Sequence, residues 1–314
     1  MHALLERIVA ASGVPNLVDI LAARLSPTDL QSLLLEVYDR RSSVRSPADL
    51  LADYERGRFF GAASLTPAAA AEWDAILAAA AAGFRFLTLS PMAPLGSCAA
   101  VAPIGQSWSV PTVRTGEVVS DATNVLALEA DLLRRGVAKS DPKSQDIAHL
   151  ATTHRVIRPQ AYSKPRLLAH FALSAMVSAG RDQGGFGFEA EAIHAQIGAC
   201  LVSYRRYFGP ALRLGISYTL LHPGNPDARL EALRSLAQTH NAVLIEDATR
   251  PAASGYYAGF CFHLLGGWPG GELRQLADGG SVDWTAKLLG NAKERLLISG
   301  CGVEGLVALR GEGE

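Results

Sequence analysis

Residues 243–265, VLIEDATRPAASGYYAGFCFHLL, decide how the rest of the chain is read. The first part is an apolar strand that ends in an acidic pair, Glu246 and Asp247. A loop with Pro251, Ser254 and Gly255 follows, residue types that turn a chain or take unusual backbone angles. Tyr256, Tyr257 and Gly259 then lead into a second apolar strand, and the glycine lets the backbone approach a ligand closely. On local pattern alone this is a β-hairpin with an aromatic core pair. The order acid, breaker loop, Tyr-Tyr, small residue, glycine is nevertheless unusual for a plain hairpin.

The composition is that of an ordinary soluble globular protein: 314 residues, 49% hydrophobic and 19% charged, enough for a large core. That length suits one large domain with an appendage, or two domains. The net charge of −1 gives no global attraction to nucleic acid, so tRNA is not an expected partner. Cys98, Cys200, Cys261 and Cys301 are scattered and form no C-x-x-C pair. They suit a reducing compartment as small buried hydrophobes, and no metal site is expected. No run reaches the roughly 18 uninterrupted apolar residues of a membrane span. Glu6 and Arg7 interrupt the apolar start, which does not read as a secretion signal, so a cytoplasmic protein is expected.

Residues 1–66 read as helices. Ser26-Pro27-Thr28-Asp29 and Ser46-Pro47-Ala48-Asp49 each supply a capping serine, a proline at the first helical position and an acid in the first turn. Leu30, Leu33, Leu34, Val37 and Tyr38 then recur at helical spacing as one apolar face. Pro67 opens an alanine-rich helix to about Ala82, followed by a Gly83-Phe84 corner and a strand ending at Pro91. A β-type run reaches Val119, and Ser120-Asp121 cap the next helix. Residues 149–188 read as two β-rich runs around a polar turn, Gln160 to Pro165. A glycine-rich loop, Gly180 to Gly187, precedes a helix from Ala190 to Tyr204. His194 within it reads as packing or surface, since no His, Cys and carboxylate set has metal-ligand spacing. A strand over Leu212–Leu221 and an amphipathic helix over Leu230–Thr239 lead to the opening stretch. Gly300, Gly302 and Gly305 spell G-x-G-x-x-G, but too few residues follow for the helix, strand and acid that a dinucleotide fold requires.

From about Ala68 to Leu309 these segments resemble, in order, the catalytic core of class II aminoacyl-tRNA synthetases, and of histidyl-tRNA synthetases in particular. The resemblance implies an α+β fold, a mainly antiparallel β-sheet flanked by helices, with an N-terminal helical segment over 1–66 and the core over 67–314. The Pro67 helix and Gly83–Pro91 resemble motif 1, which implies a homodimer. Asp121 and Thr123 match the acid-x-Thr that holds a substrate ammonium. Arg158 matches the motif 2 arginine that clamps the ATP α-phosphate, with Gln160 in place of a glutamate. Two polar positions of the histidine pocket fall on Leu173 and Val177. Tyr256, Tyr257 and Gly259 match the tyrosine-rich pocket wall, but its arginine falls on Ala252; Arg250 lies two residues earlier and would substitute only from a differently shaped loop. Gly279, Gly280 and Asp283 match a Gly-Gly-Arg-Tyr-Asp element whose Arg-Tyr is Ser281-Val282 here. In motif 3, Glu304 is present and the γ-phosphate arginine is Gly305.

The resemblance thus implies a binding site with ATP and Mg2+ as candidate cofactors, and no residues for an anticodon-binding domain. Two readings stay open. One is a non-catalytic paralogue that binds an amino-acid-like ligand or a protein partner, similar in kind to the regulatory subunit of ATP phosphoribosyltransferase. The other is an atypical ligase forming an adenylate from a small or apolar amino acid. In a third, the core is only a dimerisation scaffold and the N-terminal helices bind a partner, which an exposed apolar face on those helices would support.

Overall fold

The computed structural model describes residues 2–102, 104–160, 169–224, 227–248, 250 and 255–313. It opens on helices α1 (His2–Ser12), α2 (Leu17–Asp19), α3 (Pro27–Ser43) and α4 (Pro47–Arg56). The capping serines act as their sequence requires: Ser26 Oγ accepts from the Asp29 N–H at 3.1 Å, and Ser46 and Asp49 form a reciprocal capping box. Helices α2, α3 and α4 bury no residue. Leu4, Leu5, Ile8, Leu33, Val37, Leu50, Leu51 and Tyr54 are all exposed. The segment meets the core where the Arg58 guanidinium donates to the Pro159 carbonyl and His170 Nε2 lies 2.9 Å from the Gly61 carbonyl.

The core begins with α5 (Pro67–Ala80), whose Trp73 is fully buried and donates its indole N–H to Ser174 at 2.8 Å. Then come β1 (Arg85–Phe86), β2 (Met92–Pro94), β3 (Val110–Pro111), β4 (Gly116–Val118), α6 (Ala122–Ser140), β5 (Ala148–Ile157) and β6 (His170–Arg181). The chain continues through α7 (Gly187–Phe208), β7 (Arg213–Leu220), α8 (Ala228–Thr239), β8 (Ala242–Glu246) and β9 (Phe260–Gly267). It closes with β10 (Arg274–Val282), α9 (Trp284–Leu289), β11 (Glu294–Gly302) and α10 (Val303–Gly311). Eight strands form one sheet in the order β1-β5-β6-β11-β10-β9-β7-β8, and β2-β4-β3 form a small antiparallel sheet. The two edge pairs, β1–β5 and β7–β8, are parallel, and every pair between them is antiparallel.

This order overturns the hairpin reading of residues 243–265. Strand β7 lies between β8 and β9, parallel to the first and antiparallel to the second. Strand pairing is settled by distant sequence, and β8 and β9 flank a common neighbour instead of pairing with each other. Within that loop Pro251, Ala252 and Ser254 lie outside the described residues, as does the turn beyond Gln160.

The two-residue period of the strands divides the core. Trp73, Phe188, Ile193, Leu233, Phe260, Phe262 and Leu306 pack on one face, beneath α5, α7, α8 and α10. On the other, Leu126, Leu150, Val177, Trp284 and Ile298 pack with α6 and α9. A buried ion pair, Arg134 Nε to Glu294 Oε2 at 2.9 Å, ties α6 to β11. Among the described residues no helix is long and apolar enough to cross a membrane.

Candidate functional site

A cavity of about 740 Å³ opens on the α6 face of the sheet, over β6, β11 and β10. Alternation places Phe171 and Leu173 of β6, Ile298, Gly300 and Gly302 of β11, and Asp278 of β10 along its floor. The N-terminus of α6 brings Asp121 and Thr123, the end of β5 brings Arg158, and the loop before β9 brings Arg250, Tyr256 and Tyr257. Most of the sequence-predicted binding residues therefore meet in one place.

Asp121 has two jobs there. Its Oδ1 accepts from the Thr123 backbone N–H at 3.0 Å and from the Thr123 hydroxyl at 2.8 Å, capping α6. Its Oδ2 lies 3.3 Å from Arg158 Nη2. Arg158 also donates from Nε to the Ser120 carbonyl at 3.2 Å, and its guanidinium sits 5.2 Å from the Phe171 ring centre. Asp121 has further lone pairs for an ammonium group, because a carboxylate offers about four acceptor positions.

Arg250 forms a second pair. Its Nη2 donates to Asp278 Oδ1 at 2.9 Å, and its guanidinium lies 5.4 Å from the Tyr257 ring centre. Burial lowers the affinity of Arg250 for its proton, but the charge and hydrogen bond of Asp278, with smaller contributions from Cys261 and Tyr257, together outweigh it and its pKa is raised. Tyr256 stands edge-on between Tyr257 and Trp284, at 4.8 and 5.6 Å. Burial, then the Asp121 charge, pushes the Tyr256 phenol well above its usual range; burial and Asp278 do the same for Tyr257. Both tyrosines are neutral hydroxyl-bearing walls at any physiological pH. Tyr257 fits because position 280 is glycine: a Cβ there would lie 2.6 Å from Tyr257 Cδ1 and 2.5 Å from the Phe260 carbonyl.

Three predicted residues lie elsewhere. Glu304 opens α10 on the opposite face, where its two oxygens accept from Arg155 Nη2 and the Ala172 N–H, each at 3.0 Å. Gly259 adopts φ +89°, and its carbonyl accepts from the buried Arg229 at 2.9 Å. Gln160 lies two residues past Arg158 and does not line the cavity. Leu173 lines it, whereas Val177 is fully buried beneath α6. Gly305 is on an exposed turn of α10 with open space where a side chain would begin.

Two acids were missed by sequence reasoning. Asp278 is next to the Gly279-Gly280 pair, which was its only signal. Glu117, 2% exposed, accepts from the Gly96 N–H at 2.9 Å, the Cys98 N–H at 2.8 Å and the Gln106 amide at 2.6 Å. It thereby anchors the segment that carries Cys98, Ile104 and Trp108 to the cavity. Its signal was a lone acid inside a short β-type run. Among the described residues, no group of three or more His, Cys, Asp or Glu is placed to hold a metal ion.

No protein-family model matches the chain, and no curated protein does either. Solved structures do resemble it. Apo histidyl-tRNA synthetase from S. aureus superposes with a TM-score of 0.56 at 14% identity, over 80% of this chain and 69% of that one. An ATP phosphoribosyltransferase regulatory subunit/histidyl-tRNA synthetase from Bacillus halodurans C gives 0.55 at 13% identity, over 79% and 81%. A histidine–tRNA ligase subunit from Alicyclobacillus acidocaldarius gives 0.53 at 13% identity, over 81% and 97%. At such identities the likeness is one of fold, and the fold is that of a class II synthetase catalytic core.

Proposed function

We propose that this chain uses a class II synthetase core to bind an amino-acid-like ligand without activating it, as a regulatory or binding subunit. The observation that carries this reading is the Asp121–Arg158 pair, set in a cavity walled by Tyr256 and Tyr257. Asp121 would take the ligand's ammonium and Arg158 an anionic group, carboxylate or α-phosphate, by charge-assisted hydrogen bonds.

The site suits activation poorly. Adenylation requires cationic groups on the α-phosphate and the departing pyrophosphate, and each lost donor costs about two to three powers of ten in rate. Arg158 fits an α-phosphate. Among the described residues, the motif 3 positions bring nothing to a magnesium-bridged triphosphate: Glu304 is held on the opposite face by Arg155 and Ala172, and Gly305 brings no cation. The test is calorimetric titration of the protein with amino acids and with ATP, beside Asp121→Ala and Arg158→Ala. Saturable binding of an amino acid that both substitutions weaken by tenfold or more supports the reading. Binding indifferent to both would overturn it.

The retention of Arg158 favours the ligase as the second reading, with Asp121 and Arg158 in the same roles. A protein partner fits the exposed apolar residues of α1, α3 and α4, and a homodimer would form through the α5–β1 element that resembles motif 1. Sedimentation of the purified protein separates monomer from dimer.

A further inference from the structure

We propose that the Arg250–Asp278 end of the cavity reads the ligand's side chain and selects a carboxamide, the end group of glutamine or asparagine. This rests on the amino-acid-binding reading above. Arg158 follows β5 and Asp278 lies on β10, with β6 and β11 between them. Three strand spacings separate the two ion pairs, ~14 Å at the backbone. Side chains reaching inward from both ends, with hydrogen bonds of about 2.9 Å at each, leave room for one amino acid laid across β6 and β11.

The chemistry of the far end follows from what it offers. Arg250 is 14% exposed and Asp278 42% exposed, so the pair is formed but still open to the cavity. It presents N–H donors beside carboxylate acceptors and carries no net charge. An acidic side chain would meet Asp278 and a basic one Arg250, each at close range. An aliphatic side chain would strip both groups of water and return no hydrogen bond, at a cost typical of unsatisfied polar groups. A carboxamide accepts through its oxygen from Arg250 and donates through its nitrogen to Asp278, and it stays neutral at every pH. An imidazole also accepts and donates, but its protonated form would face Arg250 and His263, whose Nε2 lies 3.7 Å from Asp278 Oδ1. Tyr257, edge-on to Tyr256 and with the Arg250 guanidinium 5.4 Å from its ring centre, closes the apolar side for the methylene groups.

The experiment is calorimetric titration of the full chain with each of the twenty amino acids, repeated on Asp278→Ala. The readout is the ratio of Kd values for leucine and glutamine, which a merely structural role of Asp278 would leave unchanged. Glutamine or asparagine is expected to bind at least tenfold more tightly than leucine, alanine or histidine, and Asp278→Ala to bring the ratio within about twofold of unity. If Asp278→Ala does not fold, Asp278→Val, which suits a strand and brings no acceptor, carries the same test. Preference for an aliphatic residue or for histidine, or a ratio unmoved by the substitution, overturns this inference and leaves the amino-acid site standing. No binding by any amino acid overturns both.

Discussion

Asp121 and Arg158 hold each other at 3.3 Å, although the synthetase resemblance assigns one to a ligand's ammonium and the other to its phosphate. The carboxylate also caps α6 through Thr123. The two roles are separable. Asp121→Ala removes cap and charge together and is expected to lower Tm by about 1.5–3 °C, the effect of ~1–2 kcal/mol in a protein of this size. Asp121→Asn keeps an N-cap acceptor and is expected to melt within about 1 °C of the parent while losing tenfold or more in ligand affinity. Equal melting losses for the two variants would contradict the capping role.

Asp131, on α6 and 3% exposed, is pushed up to about 6 by burial, with the Glu294 charge adding to it. The folded protein keeps this proton to about pH 6, whereas the unfolded chain releases it near 3.8. The group's contribution is therefore full below pH 3.8 and is lost as pH rises through about 6, by roughly 3 kcal/mol. Asp131→Asn keeps the shape without the charge. Its Tm is expected to exceed the parent's at pH 7.5 and to match it near pH 4, and a difference independent of pH would refute this.

Two glycines should respond oppositely to alanine. At Gly280 the new methyl group meets Tyr257 and the Phe260 carbonyl, so Gly280→Ala is expected to cost about 1–3 kcal/mol and to weaken ligand binding. At Gly305, within α10 and open to solvent, Gly305→Ala is expected to stabilise by about 0.4–1 kcal/mol. Denaturant titrations of both variants decide the signs.

The N-terminal helices give a domain-level test. Because α2, α3 and α4 bury no residue and the segment meets the core through Arg58 and Gly61, a chain beginning at residue 57 is expected to melt within about 3 °C of the full one. A loss of cooperative melting would show that the core depends on them.

Local chemistry made much of this fold legible. The Ser26 and Ser46 caps, the Asp121 cap and the strand–glycine–helix order at β11 and α10 depend on neighbours a few residues away, and the structure has them all. The pairing of β8 and β9 with β7 instead of each other depends on residues 213–220, far outside the stretch that suggested a hairpin. The site divides the same way. Asp121, Thr123, Arg158, Tyr256 and Tyr257 could be placed by the motifs they resemble. The direction of Glu304 could not, because the first turn of α10 decides which face of the sheet it serves. Nor could the Arg250–Asp278 pair, formed between residues 28 positions apart on a loop and a strand. Leu173 and Val177 alone made the pocket read as apolar.

The most direct measurement is ATP–pyrophosphate exchange on the purified protein with magnesium and each of the twenty amino acids, including the one that binds most tightly by calorimetry. A protein that binds an amino acid and supports no exchange above the background of Arg158→Ala is the expected result. Exchange with one amino acid, abolished by Asp121→Ala and by Arg158→Ala, would make the chain a ligase and contradict the proposed binding role.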